Sequence, residues 1–276
     1  MSNQPLITFN DGRTIPQVGL GVWQTPNDDA AEVVRTALEA GYRHIDTAAG
    51  YQNEQGVGEG IKASGLSREE IFVTTKVRNE DQGFDTAVAA VHNSLKLLDT
   101  DYLDLCLIHW PSPWRGKYLE TWKALVQLKG EGKIRSVGVS NFEQEHLDKI
   151  IGETGETPVL NQIELHPRFQ QKSMRSVDEK LGIKTESWSP LGQGKLLEDS
   201  TIAAIAAKHG RNAAQIIIRW HIDSGLIVIP KSVTPSRIIS NLDVFGFELD
   251  PDDMAKIDSL DSASGRIGPD PMTATF

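Results

Sequence analysis

Cysteine is nearly absent from this 276-residue chain: Cys106 stands alone, inside the apolar stretch 102–108. One thiol forms no intramolecular disulfide, so stability must come from the core and a reducing, cytoplasmic setting is expected. The thiol itself reads as a small buried hydrophobe rather than a nucleophile. Long hydrophobic runs are missing too. No segment approaches the ~20 apolar residues that span a bilayer, and residues 1–10 lack the basic-then-apolar order of a secretory leader. Positive charge is in deficit, with 28 Lys and Arg against 38 Asp and Glu and a net charge of -10. That balance argues against nucleic acid and anionic membranes as partners. Several chemical signatures are lacking as well. No G-x-G-x-x-G follows a strand and no Walker loop occurs, while the glycines at 56, 58 and 60 have the wrong spacing and read as helix. Residues 138–142 lack the last glycine of a nucleophile elbow. There is no H-E-x-x-H, and the seven histidines show no ligand spacing, so no metal is expected.

What the chain does have is alternation. Short β-rich apolar runs occur at 17–22, 43–46, 71–77, 102–109, 134–140, 159–164, 183–188 and 226–229. Continuous apolar strands suit a parallel sheet covered by helices on its outer face. The stretches between them are amphipathic. Val88, Val91, Leu95 and Leu98 recur at helical spacing, as do Ile202, Ile205, Ala206 and His209. Asn27 is placed as an N-cap and Gly41 as the stop of a helix over 28–40. Eight strand–helix units in this length favour a (β/α)8 TIM barrel, one domain over 1–276, rather than a doubly wound sheet. Segments 6–9 and 14–16, joined through Asn10-Asp11-Gly12, read as a β-hairpin capping the barrel bottom. The tail after Asp261 reads as irregular.

Reactive residues gather where these strands end, which is the active face of such barrels. Asp46, Lys76 and His109 end the second, third and fourth, and Ser140 with Asn141 ends the fifth. Gln162 and Glu164 lie at the end of the sixth, Trp188 ends the seventh, and Lys231 follows the eighth. Asp46, Tyr51, Lys76 and His109 form a coherent set. A lysine cation beside a phenol favours the phenolate, a carboxylate keeps the lysine charged, and a histidine can hydrogen-bond a substrate oxygen. Such a set can protonate a developing alkoxide but holds no hydride, which a cofactor must supply. Each member also has a plain structural explanation: an ion pair for Asp46 and Lys76, a strand-end histidine for His109, a packing aromatic for Tyr51.

Thr234 and Pro235 mark the start of a helix. Helix N-termini attract anions, and Lys231 and Arg237 flank this one, which suits a phosphate monoester such as the 2′-phosphate of NADP. A solvated basic surface would look the same. Residues 191–195 (LGQGK) carry glycines that let backbone approach a pyrophosphate, though a flexible loop would too.

Residues 41–48 (GYRHIDTA), 136–142 (SVGVSNF), 161–167 (NQIELHP) and 229–232 (IPKS), in this order, resemble the aldo-keto reductase superfamily. The likeness runs from about Leu6 to Asp261. Residues 186–195 (ESWSPLGQGK) look most like the bacterial 2,5-diketo-D-gluconate reductases. The resemblance implies a metal-free, monomeric barrel that reduces small aldehydes or ketones with NADPH, a keto-sugar acid or methylglyoxal among them. Asp46, Tyr51, Lys76 and His109 match the catalytic tetrad, with Tyr51 as the proton donor. Ser140, Asn141 and Gln162 match the residues that hold the nicotinamide carboxamide, and Trp188 matches the ring that stacks on it. Ser189, Leu191, Gly192, Gln193, Gly194, Lys231, Ser232, Val233, Thr234, Arg237 and Asn241 match the rest of the cofactor site.

The chain departs from the family pattern beside Lys76. Many relatives read Leu-Trp-Asn there, where this chain has Val77-Arg78-Asn79. With Gly50 before Tyr51, this opens the expected pocket and adds a charge, so Arg78 is expected either to favour carboxylate-bearing substrates or to point to solvent. Trp23 and Trp110 are expected as apolar pocket walls. Two other functions fit the same residues: an aldolase forming a Schiff base at Lys76, and a non-catalytic NADPH-binding regulatory subunit.

Overall fold

The computed structural model describes residues 4–276, so residues 1–3 of the N-terminal stretch read as leader-free lie outside it. Strands β1 (Leu6–Thr8) and β2 (Thr14–Pro16) pair antiparallel as the expected hairpin, with Ile7 opposite Ile15 and Gly12 at a positive φ of 83° in the turn. Phe9 and Ile15 leave this hairpin for the inside of the molecule, where they meet Leu105, Leu107, Val159, Leu160 and Ile227. The hairpin therefore plugs the bottom of the barrel.

Eight parallel strands build that barrel: β3 (Leu20–Gly21), β4 (His44–Asp46), β5 (Phe72–Val77), β6 (Leu103–Ile108), β7 (Ile134–Ser140), β8 (Leu160–Glu164), β9 (Lys184–Trp188) and β10 (Ile227–Val228). Each is bonded to its sequence neighbour. Parallel bridges from Val18 to Val228 and from Gly21 to Lys231 join the first to the last and close the barrel. Two hydrogen bonds make that closure firm: the Gly19 amide donates to the Val228 carbonyl at 2.9 Å, and the Val228 amide to the Gln17 carbonyl at 2.9 Å. All eight expected strands are present. The first and last are shorter than their apolar runs, because the closing contacts are single bridges.

Alternate residues along a strand face the helix layer or the barrel interior, most plainly in β6. Cys106, Ile108, Val137 and Val139 face outward into the layer shared with the helices, whereas Leu105 and Leu107 face the barrel interior. Helices α1 (Asn27–Ala40), α2 (Glu54–Ala63), α3 (Phe84–Leu97), α4 (Tyr118–Gly130), α5 (Gln144–Thr154), α6 (Lys172–Lys180), α7 (Ser200–His209), α8 (Ala213–Asp223), α9 (Pro235–Leu242) and α10 (Pro251–Asp258) surround the strands. Gly41 ends α1 in the left-handed region, as expected. Asn27 does not cap it. Pro26 occupies that place, and the Asn27 side chain instead accepts from the Gly56 amide at 2.9 Å, tying α1 to α2. The glycines of α2 have a packing reason. A Cβ at 56, 58 or 60 would lie 2.2, 2.7 and 2.6 Å from the carbonyl oxygens of Asn27, Leu98 and Ala31. Each glycine disfavours helix by about 1 kcal/mol, so close contact between the helices must outweigh that loss. Among the described residues, no helix is long and apolar enough to cross a membrane.

Candidate active site

Asp46 is the last residue of β4, and Lys76 lies near the end of β5. His109 directly follows β6, and Tyr51 closes a single 3₁₀ turn (Ala49–Tyr51) just after β4. Asn53 pins that turn: it accepts from Thr47 Oγ1 at 2.8 Å and donates to the carbonyls of Val22 and Thr25 at 2.9 and 3.0 Å. The four candidates come together at the barrel mouth. Lys76 Nζ donates to Asp46 Oδ1 at 2.6 Å and to the Thr47 carbonyl at 2.9 Å, wholly out of solvent. The same ammonium lies 5.1 Å from the centre of the Tyr51 ring, and the His109 ring meets that ring edge-on at 5.6 Å.

Charge in this cluster follows from burial and pairing. Burial alone would neutralise Lys76, but the charge of Asp46, the proximity of Tyr51 and the Asp46 hydrogen bond outweigh it and hold the ammonium above its ordinary value. Burial pushes Tyr51 up, with Lys76 pulling against it. Burial and then the Lys76 charge push His109 down to about 3, so it stands as a neutral imidazole at physiological pH. The arrangement is a neutral phenol beside a fixed cation and a neutral histidine.

A second ring of residues is tied to the first. Asn141, at a φ of +62° that asparagine tolerates better than most residues, donates to the His109 carbonyl at 3.0 Å and to Ser140 Oγ at 3.1 Å. It accepts from Trp188 Nε1 at 2.8 Å. Ser140 Oγ donates to the Gln162 carbonyl at 2.8 Å. Gln162 turns its amide nitrogen inward, donating to Asp46 Oδ2 at 2.8 Å and to Glu186 Oε2 at 2.6 Å. Its side-chain oxygen is the end left for a ligand.

Two connected clefts open from this face. One, of about 430 Å³, holds Gly50, Tyr51 and His109 at its floor, with Trp23, Trp110, Trp188 and Phe276 among its walls. The second, of about 820 Å³, shares Trp23, Ser189, Gln193 and Lys231 with it and runs on past Leu191 and Gly194 to Ser232, Val233, Thr234, Arg237 and Asn241. Gly192 lies just behind that wall: it is buried, and a Cβ there would press on Leu196 at 2.9 Å. Helix α9 begins at Pro235 as expected, with Thr234 before it, although the Thr234 side chain makes no capping bond. The groove thus joins an acid–base cluster and an amide oxygen to a helix N-terminus flanked by Lys231 and Arg237, a donor set that fits a dinucleotide with a terminal phosphate.

Arg78 requires a correction. It adds no free charge to the pocket: its guanidinium is held by Asp81 at 2.7 and 3.3 Å and lines a separate cleft with Gln52 and Gln55. Sequence reasoning also missed the C-terminal segment. Ile267, Gly268 and Phe276 line the smaller cleft, and the Phe276 ring packs edge-on against Trp110 at 5.2 Å. Glu164 holds this segment in place, accepting from the amides of Ile267 and Gly268 at 2.7 Å each, with His166 Nε2 3.1 Å away. The signal in the sequence was a carboxylate at the end of a buried strand, which calls for donors that His166 alone does not supply.

The model of the aldo/keto reductase family matches residues 17–262. The chain belongs to the aldo/keto reductase family. This aldo/keto reductase is 57% identical over 272 residues to an aldo-keto reductase of Mycolicibacterium smegmatis, covering 99% of this chain and 98% of that one. It is 50% identical over 273 residues to the methylglyoxal reductase DkgA of Escherichia coli, covering 98% of each. Among solved structures, a Gox0644 variant in complex with NADPH superposes over 100% of both chains, with a TM-score of 0.96 and 55% identity.

Proposed function

We propose that this aldo/keto reductase reduces a small aldehyde or ketone to the alcohol with NADPH, Tyr51 giving the proton. The observation that carries the reading is the buried Lys76 ammonium, fixed by Asp46 at 2.6 Å and set against the Tyr51 ring in an aromatic-walled cleft. When bound, NADPH supplies the hydride. Ser140, Asn141 and the outward oxygen of Gln162 would hold its carboxamide, and Trp188 would lie against its ring. Ser189, Leu191–Gly194, Lys231–Thr234, Arg237 and Asn241 would hold the rest, with the cations serving the 2′-phosphate.

As negative charge develops on the substrate oxygen, Tyr51 donates, and the Lys76 cation stabilises the phenolate left behind. Neutral His109 donates a hydrogen bond to the same oxygen and so orients the carbonyl without competing as an acid. Relatives named methylglyoxal reductase and glyoxal reductase, and a cleft of about 430 Å³ walled by aromatic rings, support a small dicarbonyl as the substrate class. With Arg78 bound to Asp81, a keto-sugar acid ranks second. The Asp46 bond that keeps Lys76 protonated works against a Schiff base there, since only the free amine attacks a carbonyl.

The test is NADPH oxidation over a panel of methylglyoxal, 2,5-diketo-D-gluconate and an aromatic aldehyde, by the native protein and Tyr51→Phe. The expected result is turnover of methylglyoxal first, and a fall in kcat of about 10²–10⁴ in the variant with cofactor affinity kept. A native protein that binds NADPH and reduces nothing would overturn the reading in favour of a regulatory subunit, and a borohydride-trapped adduct on Lys76 in favour of an aldolase.

A further inference from the structure

Beneath the candidate tetrad lies a second acid that the proton transfer from Tyr51 does not use. Glu186, on β9, points into the closed barrel and is wholly buried. Its Oε2 accepts from Gln162, the same amide nitrogen that bonds Asp46. Two carboxyl groups thus share one neutral donor, and Lys76 bonds only Asp46 of the two. The other oxygen, Oε1, has no hydrogen-bond partner among the described residues. It faces His44 Nε2 at 3.7 Å, a nitrogen that Thr74 Oγ1 also approaches at 3.3 Å. That ring cannot turn away, since Gly19 packs on it so closely that a Cβ there would lie 2.3 Å from Nδ1.

The groups facing Glu186 are His44 and Asp46 from β4, Lys76 from β5, Tyr51 from the turn after β4 and Gln162 from β8, while its register partner on β10 is the apolar Ile227. An ionised Glu186 would leave one carboxylate oxygen without a donor, away from all solvent, and next to a second carboxylate that draws on the same Gln162 amide. A proton on Glu186 removes the charge conflict with Asp46 and turns the unpartnered oxygen into a donor facing His44. His44 does not take it: burial and the Lys76 charge push His44 down to about 3.

We propose that Glu186 holds that proton at neutral pH and acts as a positioning residue for the Tyr51 donor: its loss sets a second negative charge beneath Lys76, which then stabilises the Tyr51 phenolate less. Burial, and then the charge of Asp46, push Glu186 up to about 8. Ionisation there makes Tyr51 a weaker acid, so carbonyl reduction falls on the alkaline side before Tyr51 itself titrates. The catalytic half of this inference rests on the reductase reading, and the proton on Glu186 does not.

Glu186→Gln is the decisive variant, because its amide mimics the neutral acid: the oxygen still accepts from Gln162 and the NH₂ faces His44. Infrared difference spectra of the cofactor-free protein, native minus Glu186→Gln, are expected to show a neutral carboxylic acid C=O band at pH 7 that disappears above about pH 8. In steady-state assays with methylglyoxal, the native kcat is expected to fall up to about fivefold between pH 8 and pH 9, and the variant to keep most of its own kcat over that interval. No difference band at neutral pH overturns the protonated Glu186. A titrating band with the same alkaline limb in both proteins overturns its link to Tyr51. A titrating band in a protein that binds NADPH and reduces nothing overturns the reductase reading instead.

Discussion

Replacing Lys76 by methionine isolates the ion pair at the centre of the site. Both partners are out of solvent, 2.6 Å apart, and methionine fills the stem of the lysine while removing its charge. Asp46 would keep only its bond from Gln162, beside Glu186. Breaking a buried pair from one side costs about 3–5 kcal/mol. With an unfolding entropy of about 2.1 cal/mol/K per residue over the whole chain, that is a fall in Tm of about 5–9 °C. Burial already holds Asp46 above its ordinary value, with Lys76 as the main opposing influence, so losing the cation raises it further. A carboxyl raised in the folded state binds protons on folding. The loss is therefore complete above the folded value and vanishes as pH falls to the unfolded carboxylate range. Melting curves across pH, for the native protein, Lys76→Met and Asp46→Asn/Lys76→Met, test this. The double variant is expected to recover most of the stability, since it leaves no unpaired charge. A single variant that melts within about 2 °C of the native protein, or a double variant no more stable than the single, would refute the reasoning.

Two further outcomes concern other parts of the site. Arg237→Ala is expected to weaken NADPH about tenfold and leave NADH unchanged, because only NADPH carries the phosphate that a charged hydrogen bond would hold. Fluorescence titration at one salt concentration measures both, and an equal loss would remove Arg237 from the phosphate site. Glu164→Gln is expected to loosen the C-terminal segment, speeding amide exchange at Ile267 and Gly268 about 10–100-fold and raising KM more than it lowers kcat. Burial opposes ionisation of Glu164, but the bonds from His166 and the two amides outweigh it and hold the acid below its ordinary value. Its contribution to stability is thus present above about pH 4.5 and lost as pH falls through the lowered value. Unchanged exchange at these amides would mean that the segment is held by Trp188 and Trp110 instead.

The barrel was legible because its strands are buried on both faces and so read as unbroken apolar runs, as in Leu103–Ile108. The position of Asp46, Lys76 and His109 at strand ends was legible for the same reason. What escaped depends on partners far away in sequence. Asn27 has the right residue type for a cap, yet its side chain serves Gly56. Arg78 stands beside Lys76 in sequence, yet Asp81 turns it to another cleft. The C-terminal segment has neither period nor pattern, and only the need of Glu164 for donors points to it. Glu186 was passed over because its significance lies in the shared Gln162 amide, which closure of the barrel creates.

The bridge from Val18 to Val228 and the seating of Phe9 and Ile15 against Ile227 have a consequence for synthesis on the ribosome. Residues made first find their neighbours only when almost the whole chain has emerged. At roughly 5–20 residues per second, the hairpin and the edge of β3 wait roughly 10–40 s for β10. Until then the nascent chain is an open, growing sheet with apolar residues at both edges, and the proton-bearing interior exists only after the ring has shut.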